Sequence, residues 1–330
     1  MTEFGFPFQA ARDIDAEIDL PKPRVRWHYT TAESLPLILR NHTLWATNIE
    51  FLNDTDEIRA GIKQVKRYFR NRDRRFLSPK EQDSEIDFSA ARELIDEWEE
   101  FPFRGSAFTV SFSRDGDDNS QWDRYAQRDG YAIGIREDSH MPILGCEPPS
   151  GTLRGHIEDV PLRWTRMAYR RRKHQTLIRD AVGAMQEGLA RNPYPDEDVD
   201  MSDLMRDQAV SDYVVAVASI KNRGFRAERE VRYVVTHPDN EDVIHRRTGA
   251  YGGENETTFV KLTGAPLEHD DLLHPGDRLQ YQPRPLPLPI VKVRLGPSRQ
   301  TADDVQYVKN LLDECGYSGV KVVKSKSTQR

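Results

Sequence analysis

The side chains of this chain with the most chemical potential are scattered: His28-Tyr29-Thr30, Asn53-Asp54, Ser111-Phe112-Ser113, Trp122, Tyr125 and Glu228-Arg229-Glu230-Val231-Arg232. Alternate side chains of an extended segment share one side. If a strand begins early enough, Glu228, Glu230 and Arg232 set two carboxylates beside one guanidinium. That pattern suits catalysis or substrate positioning, and equally suits a solvated, salt-bridged edge strand. His28 has three readings: a core imidazole with a satisfied hydrogen bond, a donor that positions a ligand, or a metal ligand. The metal reading is the weakest of these, because no second histidine stands at ligand spacing and His42 falls in a different element. Asn53-Asp54 either makes a turn that caps the next helix or holds a loop against a ligand. Trp122 and Tyr125, three positions apart, share a face of a helical turn.

Several chemistries find no support. Ser111 lacks the Gly-x-Ser-x-Gly elbow of serine hydrolases. There is no Gly-x-Gly-x-x-Gly and no Walker loop, so a bound nucleotide is not held in either of those ways. Two cysteines, Cys146 and Cys315, are too few for a disulfide framework or a cysteine metal cluster and point to a reducing cytoplasm. The first residues show no basic start followed by an apolar stretch, and no apolar run approaches the roughly 20 residues that span a bilayer. A cytoplasmic chain with no membrane partner is expected. The formal net charge of −6 disfavours wrapping of duplex nucleic acid, although local basic strips remain open. One such strip is Tyr169-Arg170-Arg171-Arg172-Lys173-His174, readable as a solvated helix face or as a phosphate contact.

The elements that must position these residues follow from periodicity. Residues 1–23, ending Pro21-Lys22-Pro23, read as a flexible N-terminal arm, and residues 24–330 as a single α+β domain; 330 residues are enough to bury a substantial core. Val25–Tyr29 predicts a strand, with Thr30 and Glu33 spaced as a capping box for a short helix carrying Leu35, Ile38 and Leu39. Thr43–Thr47 is a second extended piece. Ile58, Ile62, Val65 and Phe69 mark a helix whose first turn holds Asp54, Asp56 and Glu57, and another helix is expected over 90–99. Strands are expected at 107–112 and 131–135, a mainly helical insertion around 160–220 ending at Lys221-Asn222-Arg223-Gly224, and a strand at 230–235. A loop-rich insert around 237–285 precedes a strand at 290–295, a helix at 302–312 and a strand at 320–323. No internal repeat is present.

The order of these segments resembles the bacterial "domain of unknown function 2971" family. The likeness lies in Trp27-His28-Tyr29-Thr30, Phe51-Leu52-Asn53-Asp54 with Glu57, and Phe108-Thr109-Val110-Ser111-Phe112-Ser113. It continues through Trp122, Tyr125, Gly130, Ile133-Gly134, Phe225–Arg232 and Val293-Arg294-Leu295-Gly296-Pro297, over roughly residues 25–326. The tail Ser325–Arg330 departs from the family's closing pattern by lacking its proline. More remotely, the strand bearing His28 and Thr30 before a short helix is similar to the opening of the ADP-ribosyltransferase fold. That resemblance implies a mixed or antiparallel split β-sheet with peripheral helices, and NAD as substrate. His28 and Thr30 would hold the nicotinamide ribose and amide, with Tyr29, Asn53, Ser111 and Arg232 also in the cofactor site and Arg232 or Arg26 meeting the pyrophosphate. Tyr125 or Trp122 would stack on a ring, and Glu230, or secondarily Glu228, would be the essential carboxylate. The implied role is transfer of ADP-ribose to a nucleic acid, a protein or another acceptor, as in a toxin or phage-defence effector. Two other classes stay open: a metal-dependent nuclease or phosphohydrolase built on Asp54, Glu57, Glu228 and Glu230, and a non-enzymatic sensor or interaction module.

Overall fold

Segments with alternating apolar residues become strands of one mixed sheet, and those with three- and four-residue apolar spacing become the surrounding helices. The computed structural model describes residues 24–51, 56–75, 92, 95, 107–146, 162–190, 211–236, 241–248, 256–266 and 280–327. In chain order, β1 (Val25–Thr30) leads to α1 (Ser34–Asn41), β2 (Leu44–Asn48) and α2 (Asp56–Arg75). Then come β3 (Ala107–Ser113), α3 (Asn119–Tyr125), β4 (Tyr131–Arg136), β5 (Ile143–Leu144) and β6 (Arg163–Arg166). α4 (Arg171–Ala190), a helical segment over 211–218 and a 3₁₀ turn (Arg223–Glu228) precede β7 (Glu230–Thr236). β8 (His245–Arg247), β9 (Thr257–Leu262), β10 (Tyr281–Gln282), β11 (Ile290–Leu295), α5 (Ala302–Glu314) and β12 (Lys321–Lys324) follow.

The sheet forks at β3. One edge of β3 pairs with β7 over its whole length, from Ala107↔Thr236 to Ser113↔Glu230. The other edge is shared by two strands: β2 meets it at Phe108 and Thr109, and β1 meets it only at Ser113. Beyond the fork, β1 continues into β4, β11 and β12, while β2 continues into β9, β5 and β10. Between the branches, Val110, Ser111 and Phe112 have no strand on that edge among the described residues. A strand edge without a partner leaves backbone groups available to side chains or ligands.

Burial explains why the fork holds its shape. The largest core joins Phe108, Val110 and Phe112 of β3 to Ile133 and Ile135 of β4, under Leu35 and Leu39 of α1 and Val308, Leu311 and Leu312 of α5. A second core, around Val65, Phe69, Ile178, Val182 and Val217, packs α2, α4 and the helical segment 211–218 together. A third cluster sets Trp27 and Tyr29 against Trp122. Trp27 lies in a slot that glycine makes possible. A Cβ on Gly116 would fall 2.3 Å from its ring and one on Gly134 3.1 Å from it, while the Arg294 guanidinium sits 5.0 Å from the ring centroid.

Several expectations change. Thr30 does not cap α1: it remains in β1, paired with Tyr131, and the helix starts at Ser34 after a turn, with Glu33 at the cap position and no side-chain cap bond. The expected helical insertion contains a strand, β6, whose pairing with β7 supplies the ladder bonds that a helix there would forgo. The expected loop-rich insert contains β9, flanked by β2, β5 and β8, so Phe259, Val260 and Leu262 belong to the buried sheet. The helix after Thr301 runs two residues further than expected and does carry a capping box, formed with Asp304. The arm at 1–23 lies outside the described residues, as does the helix at 90–99 apart from Arg92 and Ile95, both helical. Among the described residues, no helix is long and apolar enough to cross a membrane.

Candidate functional site

The end of β7 is built by a local backbone device. Asn222 opens the 3₁₀ turn with its side chain on the Gly224 N–H, and Arg229 closes it in the left-handed region at φ 47°. This residue, not an early strand start, brings Glu228 and Glu230 together: β7 begins at Glu230, with Glu228 still in the turn. Both carboxylates converge on Lys221, whose Nζ donates to Glu228 Oε2 and Glu230 Oε2 at 2.7 Å each. Lys221 is fixed in turn by its backbone, whose N–H donates to the Ala168 carbonyl across a parallel bridge.

The surrounding charges are matched. Arg232 donates through Nε to Glu230 Oε1 at 2.6 Å and through Nη1 to the Ala218 carbonyl at 3.0 Å, and Arg124 donates to Glu228 Oε1 at 2.7 Å. Lys221, Glu228, Glu230 and Arg232 are all at most 6 % exposed, whereas Arg124 reaches solvent. Burial alone would raise the Glu230 pKa, but the adjacent Arg232 and Lys221 outweigh it and hold the carboxyl at about 2. Glu230 is therefore ionised at every physiological pH and is unsuited to shuttling a proton. It suits the stabilisation of developing positive charge.

Ser111 links this cluster to β1. Its Oγ donates to Glu230 Oε1 at 2.8 Å, and its carbonyl oxygen, free at the fork, accepts from His28 Nδ1 at 3.1 Å. A carbonyl can only accept, so the proton sits on Nδ1 and Nε2 is left as an acceptor with no partner among the described residues. Burial depresses the His28 pKa, against a smaller opposing effect of the Ser111 carbonyl, and keeps the ring neutral. Its ring also leans on Phe112, with centroids 5.7 Å apart.

A cavity of about 740 Å³ opens over these groups. His28, Tyr29, Ser111, Tyr125, Glu228, Glu230 and Arg232 all line it. Tyr125, 37 % exposed, and Trp45, 46 % exposed and stacked on Phe259 at 4.2 Å, also line the cavity. Two buried polar atoms in the lining, Thr109 Oγ1 and Gln121 Nε2, have no hydrogen-bond partner among the described residues, and each would gain from a polar ligand.

Other residues singled out from the sequence fall elsewhere. Trp122 is wholly buried outside the cavity lining: it packs edge-on against Tyr29 at 4.7 Å and donates Nε1–H to Asp117, whereas Tyr125 lines the cavity. Thr30 is buried in β1 and does not line the cavity. Tyr29 spends its hydroxyl on the Asp115 carbonyl and the Asp118 N–H, positioning the loop ahead of α3. Asn53 and Asp54 lie outside the described residues. Ser113 bonds the Glu228 carbonyl and helps hold the turn. Of the tail that lacks the expected proline, Ser325 Oγ and the Lys326 N–H are held on the Asp117 carboxylate.

Lys221, Arg124, Trp45 and Phe225 were not singled out as site residues from the sequence. Lys221 is legible in hindsight from charge balance, since two buried glutamates require a buried cation. Among the described residues, no three His, Cys, Asp or Glu side chains converge as metal ligands, and Glu228 and Glu230 are already bridged by an ammonium. No protein-family model, curated protein or solved structure matches the chain.

Proposed function

We propose that the forked-sheet cavity binds NAD and that the protein is an ADP-ribosyltransferase. The observation that carries this reading is Ser111, which joins His28 on β1 to Glu230 on β7 beneath one cavity. The volume of about 740 Å³ suits a dinucleotide, and the half-exposed Tyr125 in its wall supplies an aromatic ring. Glu230 Oε1 accepts from Ser111 and Arg232, but Oε2 accepts only from Lys221 among the described residues, which leaves it one lone pair for a ribose hydroxyl. In the reaction, the bond between C1′ and the nicotinamide nitrogen breaks and its electron pair leaves with nicotinamide. The permanent negative charge of Glu230 stabilises the cationic ribose, and an acceptor nucleophile closes on C1′, releasing its proton. Neutral His28 presents Nε2 as an acceptor for a ligand hydroxyl or amide N–H.

The test is nicotinamide release from labelled NAD by the wild type and by Glu230→Gln, Glu228→Gln and His28→Ala. Loss on Glu230→Gln, by about two to four orders of magnitude for a charge-stabilising group, is expected. Unchanged turnover in both glutamate variants sinks the assignment. The neutralisation of both carboxylates by Lys221, Arg124 and Arg232 also favours a second reading, a ligand-sensing module. NAD binding measured by calorimetry, with no nicotinamide release under any acceptor, selects it.

A further inference from the structure

A second cavity, of about 930 Å³, lies on the other side of Glu230, and eight of its twelve lining residues are arginine or lysine. Glu230 is the one residue that lines both cavities. The cations come from four separate stretches: the start of β1, the end of β3, the segment from β6 into α4, and the turn before β7. Such convergence is a product of the fold and does not reflect composition, because the whole chain carries a net charge of −6.

The positive charge is only partly answered. Arg26 and Arg166 share Glu137, and Arg229 meets Asp115. Arg24, Arg114, Arg170, Lys173 and Arg226 make no ion pair among the described residues, and all five are exposed. Arg26 is the buried member, 3 % exposed, and its Nε–H finds no acceptor among the described residues. Burial lowers its pKa against the pull of Glu137, and the neighbouring Arg166 and Arg114 lower it further, as expected where like charges are crowded. An anion entering this cavity relieves repulsion that the folded chain otherwise bears.

We infer that this cavity is a binding site for a ligand carrying several adjacent phosphates. Seven of its eight cations are arginine, whose planar fork matches phosphate oxygens in pairs. The surface is concave, which suits a strand or a small polyphosphate and not a flat lipid sheet. The tyrosine in its wall, Tyr169, is already engaged by the Glu230 N–H and acts as a strut. Two sources supply this chemistry: the backbone of a short single-stranded nucleic acid and a free polyphosphate group. The site stands whatever the first cavity binds.

The experiment uses the full chain and fluorescence anisotropy with a labelled oligodeoxythymidine, competed by tripolyphosphate and by oligoglutamate. The test variant is Arg170→Glu with Lys173→Glu, both exposed; the control is Lys309→Glu with Lys321→Glu, exposed and outside both cavities. Binding of the strand should weaken about tenfold or more in the test variant and stay near wild type in the control. The slope of log affinity on log salt should flatten by about one to two. Strong competition by tripolyphosphate assigns the site to free polyphosphate, and weak competition assigns it to a phosphodiester strand; both support a phosphate site. Competition by oligoglutamate equal to that by tripolyphosphate, binding unaffected by the test variant, or no binding of either phosphate probe at low salt overturns it. Circular dichroism of both variants verifies the fold, and nicotinamide release is read separately.

Discussion

The two cavities share Glu230 and treat charge in opposite ways. In the first, each buried carboxylate has a cation at hydrogen-bond distance: Lys221 bridges Glu228 and Glu230, Arg232 meets Glu230 and Arg124 meets Glu228. In the second, cations from four chain segments face a common space, and among the described residues their ion-pair partners are Glu137 and Asp115. The first arrangement is paired because it is dry: an unmatched charge there costs several kcal/mol. The second is tolerated because most of its guanidinium groups reach water, where repulsion is screened. One region is therefore charge-matched within the fold, and the other carries an excess of exposed cations.

The contrast breaks most sharply at Lys221. Lys221→Met should destabilise the protein by about 3–5 kcal/mol at neutral pH, because two buried carboxylates lose their shared cation. Urea unfolding measures this, and the loss should shrink in strong acid as Glu230 protonates. A change below about 1 kcal/mol would show that the cluster is not the buried network described.

Next in size is the acid dependence. The Glu230 carboxyl is held at about 2 against an ordinary 4.5, so its stabilisation is fully present above about pH 4.5 and disappears as the pH falls towards 2. The linked contribution is about 3 kcal/mol. Glu230→Gln should flatten the stability profile in that window, as followed by denaturant midpoints at stepped pH. His28 works in the same direction higher up. Its pKa is depressed by burial, so the unfolded chain gains a proton near pH 6.5 that the folded chain refuses, and stability declines as the pH drops through that range.

Arg229 lines the second cavity and, by its left-handed backbone, closes the turn between Glu228 and Glu230. At φ 47° it is in a conformation that glycine adopts freely, so Arg229→Gly should keep or raise stability by up to about 1 kcal/mol while removing one cation from the basic cavity. Arg229→Val should lower stability, since a β-branched side chain tolerates that region poorly. Thermal melts of the two variants must move in opposite directions for this account of the Glu228–Glu230 turn to stand. The smallest effect is expected in the basic cavity itself. Lys173→Ala and Arg226→Ala should each stay within about 0.5 kcal/mol of wild type in stability, because neither makes an ion pair among the described residues.

Local patterns located much of this architecture. β1, β3, β4, β7, β11 and α5 lie close to where alternation and helical spacing place them, since each carries its period within a few residues. β6 and β9 were misread as helical or loop-like surroundings because short strands acquire their character from partners far away in sequence, Val231–Val234 for β6 and Leu44–Thr47 for β9. In the same way, Thr30 matched a capping box in spacing, but strand pairing with Tyr131 outweighed it.

The candidate site divides along the same line. His28, Ser111, Tyr125, Glu228, Glu230 and Arg232 were legible by type and spacing, and all six line one cavity. Trp122 was legible as an aromatic but not as a core residue, because helical spacing places side chains on a face without saying what that face meets. What the sequence by itself determined was an inventory: two glutamates beside an arginine, a histidine at a strand end, a serine on an alternating strand and a cluster of basic residues after 168. Tertiary structure alone decided that Ser111 joins His28 to Glu230, that Lys221 neutralises both glutamates, and that Arg24, Arg114, Arg170 and Arg226 face one space. The reason is physical. Hydrogen bonds and charge pairs act over a few ångströms, and only the forked sheet, formed by pairings across more than a hundred residues of chain such as Ser111 with Arg232, brings those groups within that range.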